Sequence, residues 1–563
     1  MPDTSSARCP FSALQDSHAG FAEAVRCHEA GDRQAAHQGY KNFLDQPPLM
    51  AAALNQLGLM AAEEGDAERA AGLLRTAIHL DPSMICAYEA LAAALDQLQN
   101  CPAATAVLLD LASYHYAQKD NVSAERVYRQ VLVRDPGSYI AHANLGTSLV
   151  MQGQHREAAI EMLRSLKLYA RAAPEIAHLL DRISGLPGGD MLSDADMPAV
   201  LGAPQDIGPV AQCLTSLGTV LRGMGFTDAA LLCLHEAVET SPGDGLVHWN
   251  YALGLLSQRC FASGWAEYEW RWQWSGFPAP QRRLPAVPWR GEDLDGKRVL
   301  IWGEQGFGDI LQFVPLMLHL KLRWPSAEIM FEAPQPLLRL LCVSLPGIRV
   351  IPQTETPSAV ACDLPIDYAV PLLSLPHRLQ LAADTLPLAA EYLHAPPETY
   401  APMHRRLAQA ARPRIGIVWA SRPYPDTRRS VSFEYFRSLM AACPATWFSL
   451  QVGEHQQDLA AVSPDLITDM APFLLDFAET AAAVAEMDLI ITVDTAVAHL
   501  AGGMGKAVWT LLPVDADWRW ADEGGATAWY PSMRLFRPGA GEGWDELFGR
   551  VQLALSVWLQ QAA

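Results

Sequence analysis

A gapless repeat of 34 residues runs through much of the first half of this 563-residue chain. Small residues recur at its eighth and twentieth positions, which lets two antiparallel helices approach closely. A proline usually stands at the thirty-second position, where it ends the second helix because its ring clashes with the preceding turn. Glycines between the two helices suit a left-handed C-cap. The repeats are 17–50, 51–84, 105–138, 139–172 and 211–244, and these glycines are Gly31, Gly65, Gly153 and Gly225.

The repeat predicts a right-handed solenoid of helix pairs, preceded by a tail over residues 1–16. Residues 85–104 break the register and predict one extra helix, so the first block of repeats spans 17–172. Residues 173–210 are rich in Pro, Gly and Asp and predict a loop or short helical spacer before further repeats at 211–274. The concave face predicts binding of a protein or peptide; a plain spacer or an oligomerisation surface is the alternative.

After a Pro-rich linker at 275–292, short apolar strands alternate with helices. Lys297–Trp302 is a predicted strand that leads into a glycine-rich turn, and a second such unit opens at Arg414–Ala420. This alternation predicts an α/β region with two Rossmann-like lobes, at 293–405 and 406–563. Ligands of such sheets bind beyond the carboxyl ends of the strands, so the loops there are the candidate sites.

Charge and apolar patterning narrow the function classes. The chain has 41 Lys and Arg against 62 Asp and Glu, a formal net charge of −21, and no run of five basic residues. That balance disfavours nucleic acid as a partner. No signal-like start and no stretch of about 18 apolar residues is present, so neither secretion nor a membrane span is predicted. The ten scattered cysteines lack metal-site spacing and favour a reducing, cytoplasmic location.

The first candidate site is the turn GEQGFGD at 303–309. Its glycines permit positive φ and close approach of the backbone, and the helix that follows attracts anions, so Gly306 and Gly308 are candidates for phosphate contact. Asp309 stands at the mouth of the predicted cleft and could act as a general base if burial raised its pKa. The alternative is that Asp309 only caps the helix.

The second candidate site follows the predicted strand Leu489–Val493. Asp494 or Thr495 can cap the next helix, and Thr495 and His499 are four residues apart and share a face near its positive end. Backbone N–H groups, a hydroxyl and an imidazole could then converge on a phosphate. The alternative is a buried histidine that is hydrogen bonded to a backbone carbonyl.

The third candidate is the loop SRPYPDTRRSVS at 421–432, which concentrates Arg422, Arg428 and Arg429 in an acidic chain. Guanidinium groups match phosphate oxygens in a bidentate way, although a solvated loop is equally compatible with the pattern. No Asp-x-Asp metal motif stands in a suitable loop, and Asp515 and Asp517 predict a solvated turn.

Taken together, these segments resemble a bacterial family in which tetratricopeptide repeats precede a GT-B glycosyltransferase domain. That domain is related to the lipopolysaccharide heptosyltransferases and, more distantly, to O-linked N-acetylglucosamine transferases. The resemblance is carried mainly by 288–313, by 476–513, by DWRW at 517–520 and by WYPSMRLFRP at 529–538.

The resemblance implies a bacterial, cytoplasmic enzyme that moves a sugar from a nucleotide-sugar donor to a protein Ser or Thr hydroxyl. The repeats would bind the acceptor protein, and flagellin is the leading candidate because some relatives modify it. No metal and no cofactor beyond the nucleotide-sugar co-substrate are expected. A lipid or polysaccharide acceptor and a non-catalytic scaffold are the alternatives.

The resemblance also implies roles for single residues. Asp309 takes the position of the catalytic base. Thr495 and His499 approach the donor phosphates, and Asp494 orders their turn. The arginine loop supplies a second phosphate contact through Arg428 or Arg429, and Gln451 lines the nucleoside pocket.

Overall fold

The chain divides into two compact units, Met1–Leu221 and Arg222–Ala563. The predicted tail at 1–16 and Asp515 lie outside the described residues. Within the described part, no helix is long and apolar enough to cross a bilayer. The computed structural model describes residues 19–171, 173–195, 209–279, 282, 284, 286–354, 365–382, 391–422, 427–460, 462–514, 516–520, 525–539 and 542–562.

Antiparallel helices joined by short turns build the first unit. One helix, Ile85–Gln97, stands between the repeat pairs where the register breaks, and the predicted spacer contains a helix at Pro174–Ser184. The helices are α1 (Ala19–Glu29), α2 (Arg33–Lys41), α3 (Pro47–Glu63), α4 (Ala67–Leu80), α5 (Ile85–Gln97), α6 (Cys101–Ala117), α7 (Asn121–Arg134), α8 (Tyr139–Met151), α9 (His155–Tyr169), α10 (Pro174–Ser184), α11 (Met191–Asp194) and α12 (Val210–Gly223), which runs across the boundary.

Small residues at fixed positions allow these helices to pack closely. A Cβ atom added to Gly58 would lie 2.6 Å from Leu74 Cγ, and one added to Gly146 would lie 2.7 Å from Met162 Cγ. Such distances are too short for any side chain, so the eighth position of the repeat requires its small residue. At the twentieth position, Ala36, Ala70, Ala124 and Ala158 are all fully buried.

The turns inside the helix pairs use the left-handed conformation that the glycines predicted. Gly31, Gly65 and Gly153 have φ between +77° and +82°. In two turns that lack glycine, Gln99 and Lys119 adopt φ of 58° and 62°. The backbone geometry of the turn is therefore kept where the favoured residue is absent, at a conformational cost for the longer side chains.

The second unit begins with repeat helices and continues into the α/β region. Its repeat helices are α13 (Thr227–Thr240), α14 (Gly245–Ser257) and α15 (Phe261–Tyr268), followed by a 3₁₀ turn at Glu269–Gln273. Trp265 of α15 is buried, and its ring packs edge-on against Phe313 at 5.7 Å and Trp518 at 5.3 Å between centroids. The last repeat helices and the α/β region therefore share one core.

A buried ionic network also joins the 3₁₀ turn to the α/β region. Arg271 is fully buried and donates hydrogen bonds to Glu269 Oε1 at 2.7 Å, to Glu304 Oε1 at 3.0 Å and to Ser374 Oγ at 2.8 Å. Burial raises the pKa of Glu304 to about 7, although the Arg271 cation opposes that shift. Tyr268 and Gln305 are hydrogen bonded, so two consecutive residues of the glycine-rich turn are held by the last repeat.

Two fully parallel sheets form the α/β region. The first has the order β1-β5-β2-β3-β4 and the second the order β11-β10-β9-β6-β7-β8. The first is built from β1 (Val287–Pro288), β2 (Arg298–Trp302), β3 (Glu328–Ala333), β4 (Arg349–Pro352) and β5 (Tyr368–Pro371). The second is built from β6 (Arg414–Val418), β7 (Thr446–Ser449), β8 (Thr468–Asp469), β9 (Leu489–Val493), β10 (Val508–Leu511) and β11 (Met533–Phe536).

Helices cover these sheets because strands buried on both faces need apolar layers on each side. Strands β6, β9 and β10 are buried along their whole length. The helices are α16 (Phe307–Phe313), α17 (Pro315–Arg323), α18 (Leu338–Ser344), α19 (Leu375–Arg378), α20 (Pro397–Leu407), α21 (Phe433–Ala442), α22 (Phe477–Ala485), α23 (Ala496–Gly503) and α24 (Trp544–Ala562).

The strand order locates the crevice of each lobe. Counted from β6 as the first strand of its lobe, the second sheet has the order 3-2-1-4-5-6 of a doubly wound fold, and its direction reverses between β6 and β9. In the first sheet the reversal lies between β2 and β5. The predicted fold class, a helical repeat array followed by two Rossmann-like lobes in a GT-B arrangement, is confirmed.

Candidate functional site

The glycine-rich turn joins β2 to α16 at the reversal point of the first sheet. Gly303 and Gly308 are sites of close approach: an added Cβ would lie 2.4 Å from Ile310 Cδ1 and 2.8 Å from His499 Cδ2. The expectation of positive φ is wrong, since none of Gly303, Gly306 and Gly308 adopts it. Space for neighbouring side chains, rather than backbone conformation, accounts for the glycines at 303 and 308.

Asp309 lies in the first turn of α16 and has two different partners. Its Oδ2 accepts a hydrogen bond from the Gly306 N–H at 2.9 Å, which caps the helix. Its Oδ1 accepts a hydrogen bond from Arg519 at 2.5 Å, across the interface between the lobes. Burial raises the pKa of Asp309, the Arg519 cation opposes this, and the carboxylate of Asp517 adds to it. Asp309 therefore both caps α16 and has a raised pKa, so the two roles considered for it are compatible.

Asp517 was predicted to lie in a solvated turn, but its side chain is paired with Arg519. It precedes the 3₁₀ turn Trp518–Trp520 and accepts a hydrogen bond from Arg519 Nη1 at 2.8 Å. Burial acts in the opposite direction, but the Arg519 cation and its hydrogen bonds hold the pKa of Asp517 below its usual value. No sequence pattern indicates this pairing, because the spacing alone does not place the turn beside Asp309.

The start of α23 stands at the reversal point of the second sheet. Thr495 occupies its N-cap, with no hydrogen bond from its side chain to the first turn. Its hydroxyl instead lies 3.0 Å from that of Thr492. The first turn of a helix has backbone N–H groups without intrahelical partners, so this end of α23 is suited to an anion.

Asp494 is buried directly before that N-cap. Burial and, to a smaller extent, the carboxylate of Asp517 raise its pKa to about 6, although the cations of Arg429 and Arg519 oppose that shift. A carboxyl group with this pKa is partly protonated near neutral pH, so its charge can respond to a ligand.

His499 is buried within α23, and among the described residues no backbone carbonyl accepts a hydrogen bond from its ring, unlike in the alternative of a carbonyl-bonded histidine. Its Nδ1 lies 2.9 Å from the Tyr530 hydroxyl, and its ring stacks on Trp520 with 5.0 Å between centroids. Burial, reinforced by the Arg519 cation, lowers the pKa of His499 to about 3. The imidazole is therefore neutral at physiological pH and can offer a hydrogen bond but no positive charge.

The three loop arginines have different surroundings. Arg429 is half-buried, and its Nη1 lies 3.7 Å from Asp494 Oδ2. Arg428 is exposed in the same 3₁₀ turn. Arg422 is exposed as well, and its guanidinium stands 5.5 Å from the centroid of the Phe307 ring, beside the glycine-rich turn. Residues 423–426 of this loop lie outside the described part. Arg429 is thus the loop arginine that reaches the start of α23.

Gln451 is buried at the end of β7, where its amide holds backbone groups. Its Oε1 accepts from the N–H groups of Trp419 at 3.2 Å and Ala420 at 3.0 Å, and its Nε2 donates to the Val452 carbonyl at 3.1 Å. A cavity of about 730 Å³ opens just beyond it and is lined by residues between Gly453 and Asp469. Gln451 therefore shapes the strand end next to that cavity.

Sequence reasoning missed Arg519, Gln312 and Tyr530 as members of the site. Arg519 Nε donates to Gln312 Oε1 at 2.9 Å, so the arginine contacts two residues of α16. The signal available was DWRW at 517–520, a charged residue between two tryptophans, which carried the resemblance without a role. Among the described residues, no group of three or more His, Cys, Asp or Glu is placed to hold a metal ion.

Comparison with known proteins matches both halves of this architecture. A tetratricopeptide-repeat model matches residues 29–85, 87–138 and 109–175. The protein FlbA of Caulobacter vibrioides is 25% identical over 355 residues, which are 59% of this chain and 59% of that protein. The chain therefore spans about three fifths of the length of this curated relative.

Solved structures similar to the chain cover either half. ADP-heptose LPS heptosyltransferase II of E. coli is 15% identical and covers 47% of this chain and 100% of its own, with a TM-score of 0.37. A family 9 glycosyl transferase from Veillonella parvula is 11% identical, covers 44% and 88%, and has a TM-score of 0.33. PilF of Pseudomonas aeruginosa is 18% identical, covers 41% and 78%, and has a TM-score of 0.20.

Two parallel sheets whose reversal points face each other form the two-lobed arrangement of the GT-B fold. Tetratricopeptide repeats followed by this two-lobed region are the architecture that the resemblance implied.

Proposed function

We propose that the protein is a glycosyltransferase that moves a sugar from a nucleotide-sugar donor to a Ser or Thr hydroxyl of an acceptor protein. The observation that carries the proposal is the position of Asp309. This partly buried carboxylate of the first lobe pairs with Arg519 of the second, next to the anion-suited start of α23. A base and an anion site from opposite lobes are what transfer from an activated sugar requires.

The proposed step uses these groups in order. Asp309 takes the proton of the acceptor hydroxyl, whose oxygen forms a bond to the anomeric carbon. The bond from that carbon to the phosphate oxygen breaks, and the nucleotide leaves with the electron pair. The backbone N–H groups at the start of α23 and the Arg429 guanidinium stabilise the leaving anion, while neutral His499 is available for a hydrogen bond. This assignment uses no metal, so we expect EDTA to leave the rate unchanged.

The donor and acceptor would occupy opposite sides of this site. The cavity beyond Gln451 is of a size for a nucleoside, and it is lined by the segment that connects β7 to β8 and by β8 itself, in the lobe that holds α23. The repeats supply a surface of the kind that binds proteins. Flagellin is the first acceptor to test, because proteins of the family that the sequence resembles modify it.

Two measurements test the proposal. Calorimetry of the full-length protein with UDP, GDP, ADP and CMP should detect binding of one nucleotide. Intact-mass analysis of flagellin from cells with and without the gene should then show a sugar-sized loss in the deletion strain. Reintroduction of the wild-type gene, but not of Asp309→Ala, should restore the mass. Absence of binding by all four nucleotides would argue against a transferase.

Nucleotide binding should be coupled to proton uptake at Asp494. A phosphate at the start of α23 raises the pKa of this buried carboxyl above about 6, because it adds negative charge and draws Arg429 away. A group whose pKa rises on binding takes up a proton, so affinity should fall as pH increases from 6 to 8. Calorimetry at pH 7 in MOPS and imidazole buffers, which differ in their heats of ionisation, should give different heats. Asp494→Asn should remove that difference; buffer-independent heats for the wild type would contradict the coupling.

A further inference from the structure

Arg519 is a charged side chain beside Asp309 that forms hydrogen bonds with three different side chains. It is buried, and it donates to Asp309 and Gln312 of the first lobe and to Asp517 of its own turn. Its guanidinium carbon stands 4.4 Å from the centroid of the Trp518 ring. Three carboxylate or amide partners and a ring fix the guanidinium from several directions, so its orientation is set before any ligand binds.

This arrangement fixes the Asp309 carboxylate as well. One oxygen faces Arg519 and the other faces the Gly306 N–H, so the plane of the carboxylate cannot rotate without breaking a hydrogen bond. Each carboxylate oxygen has two acceptor positions, so both can still accept from a substrate hydroxyl. The hydrogen bonds from Arg519 and the Gly306 N–H therefore orient Asp309 and still leave it able to accept a proton.

The neighbouring charges make Arg519 the main group that keeps Asp309 ionised. Burial and the Asp517 carboxylate favour the protonated form of Asp309, whereas Arg519 and, more weakly, Arg429 favour the charged form. The hydroxyls of Tyr268 and Tyr530 are buried around the same cluster, and burial raises the pKa of each. Arg519 also acts on Asp494 and His499. A guanidinium remains charged throughout the physiological range.

We propose that Arg519 is a positioning residue for Asp309, which ties this carboxylate to the second lobe and keeps it in the deprotonated form that a base needs. The inference rests on the proposed function and adds to it a residue that acts through the base. The inference can be tested through the pKa of Asp309. Removing a cation beside a carboxylate raises the pKa of that carboxylate by about 1–3 units.

The test is the pH profile of donor hydrolysis by the full-length protein. The probe is UDP-glucose, GDP-mannose, ADP-glucose or CMP-N-acetylneuraminate, whichever carries the nucleotide that binds, and the readout is nucleotide release between pH 5 and 9.5. Arg519→Gln should move the acidic midpoint of kcat upward by at least about one unit. The rate should fall relative to the wild type at pH values below the new midpoint and recover in part above it. KM for the donor should change less than about threefold, since Asp309 acts on the acceptor oxygen.

Two further variants keep the result interpretable. Arg534→Gln is the matched control, because Arg534 is exposed in the same lobe and also stands over an aromatic ring, that of Phe536. In an Asp309→Asn background, Arg519→Gln should cause little additional loss, since its effect passes through the missing carboxylate. Should the glutamine variant fail to fold, Arg519→Lys should retain most of the wild-type midpoint but lose maximal rate about tenfold, because lysine lacks the fork.

An unchanged acidic midpoint in Arg519→Gln, or additive losses in the double variant, would overturn the inference while leaving a transferase intact. An unchanged maximal rate in Arg519→Lys would also overturn the inference and leave the proposed transferase intact. A wild-type protein that neither binds a nucleotide nor releases one would instead remove the proposed function and this inference with it.

Discussion

Asp309→Asn is expected to lower sugar transfer by about 10²–10⁴-fold, the range over which a positioned general base contributes. Asparagine keeps the shape of the side chain and can still accept a hydrogen bond from the Gly306 N–H or from Arg519. It cannot take a proton from the acceptor hydroxyl. Because the donor phosphates are assigned to the other lobe, nucleotide affinity should change little. Single-turnover transfer and calorimetry on the same preparation measure the two effects.

Asp545→Asn provides the control for this substitution. Asp545 is exposed in the first turn of α24, so it is a first-turn aspartate like Asp309 but is not buried. Its loss should leave transfer unchanged. A transfer rate in Asp309→Asn within about threefold of the wild type would show that another group serves as the base.

Arg271→Ala is expected to lower the free energy of unfolding of the second unit by about 3–5 kcal/mol, because it leaves buried carboxylates without their cation. Glu304 loses its ionic partner, whereas Glu269 keeps Arg378 and the hydroxyl of Ser374. The loss in free energy of unfolding caused by Arg271→Ala should be smaller at pH 6 than at pH 8.5. The pKa of Glu304 is about 7 with Arg271 present and rises further without it, so a proton can replace the cation at the lower pH. Urea denaturation followed by tryptophan fluorescence at both pH values measures this.

Arg298→Ala is the comparison for that variant. Arg298 pairs with Glu328 at 2.8 Å, but the two side chains are 41% and 68% exposed. An exposed pair of this kind contributes about 0–1 kcal/mol. Equal losses in Arg271→Ala and Arg298→Ala would mean that the buried network adds no stability beyond an ordinary surface pair.

The fold could be predicted because its signals are local and repeated. Gly31 and Gly65 mark the turns of a helix pair, and the apolar strands β6 and β9 are each followed by a polar loop. These features depend on neighbours within one period of the chain. The division at Leu221 could not be predicted, since the last repeats have the same period as the others. Their membership in the second core is decided by Trp265 and by partners far along the sequence.

The sequence predicts which loops lie near the site, because those loops follow predicted strands, but it does not predict which side chains meet there. Asp309, Asp494 and Thr495 stand in loops that follow β2 and β9, the strands at the reversal points, which is the part of the site that a strand pattern can indicate. Whether Gln451 or Arg428 touches a ligand stays a prediction. The pairing of Asp309 with Arg519 spans 210 residues, and no pattern in a single sequence reports such a distance. Charges were likewise unpredictable: the neutrality of His499 follows from burial and a nearby cation.

The shared core of α15 and the α/β region limits how this protein can be cut or recombined. A chimera joined at the Pro-rich linker would remove Trp265, Tyr268 and Arg271, and would expose the faces of Phe313 and Trp518 to water. A junction upstream of α12, before residue 209, would keep these partners together. Evolution and protein engineering alike can therefore exchange the early helices, while the last pairs are inherited with the α/β lobes.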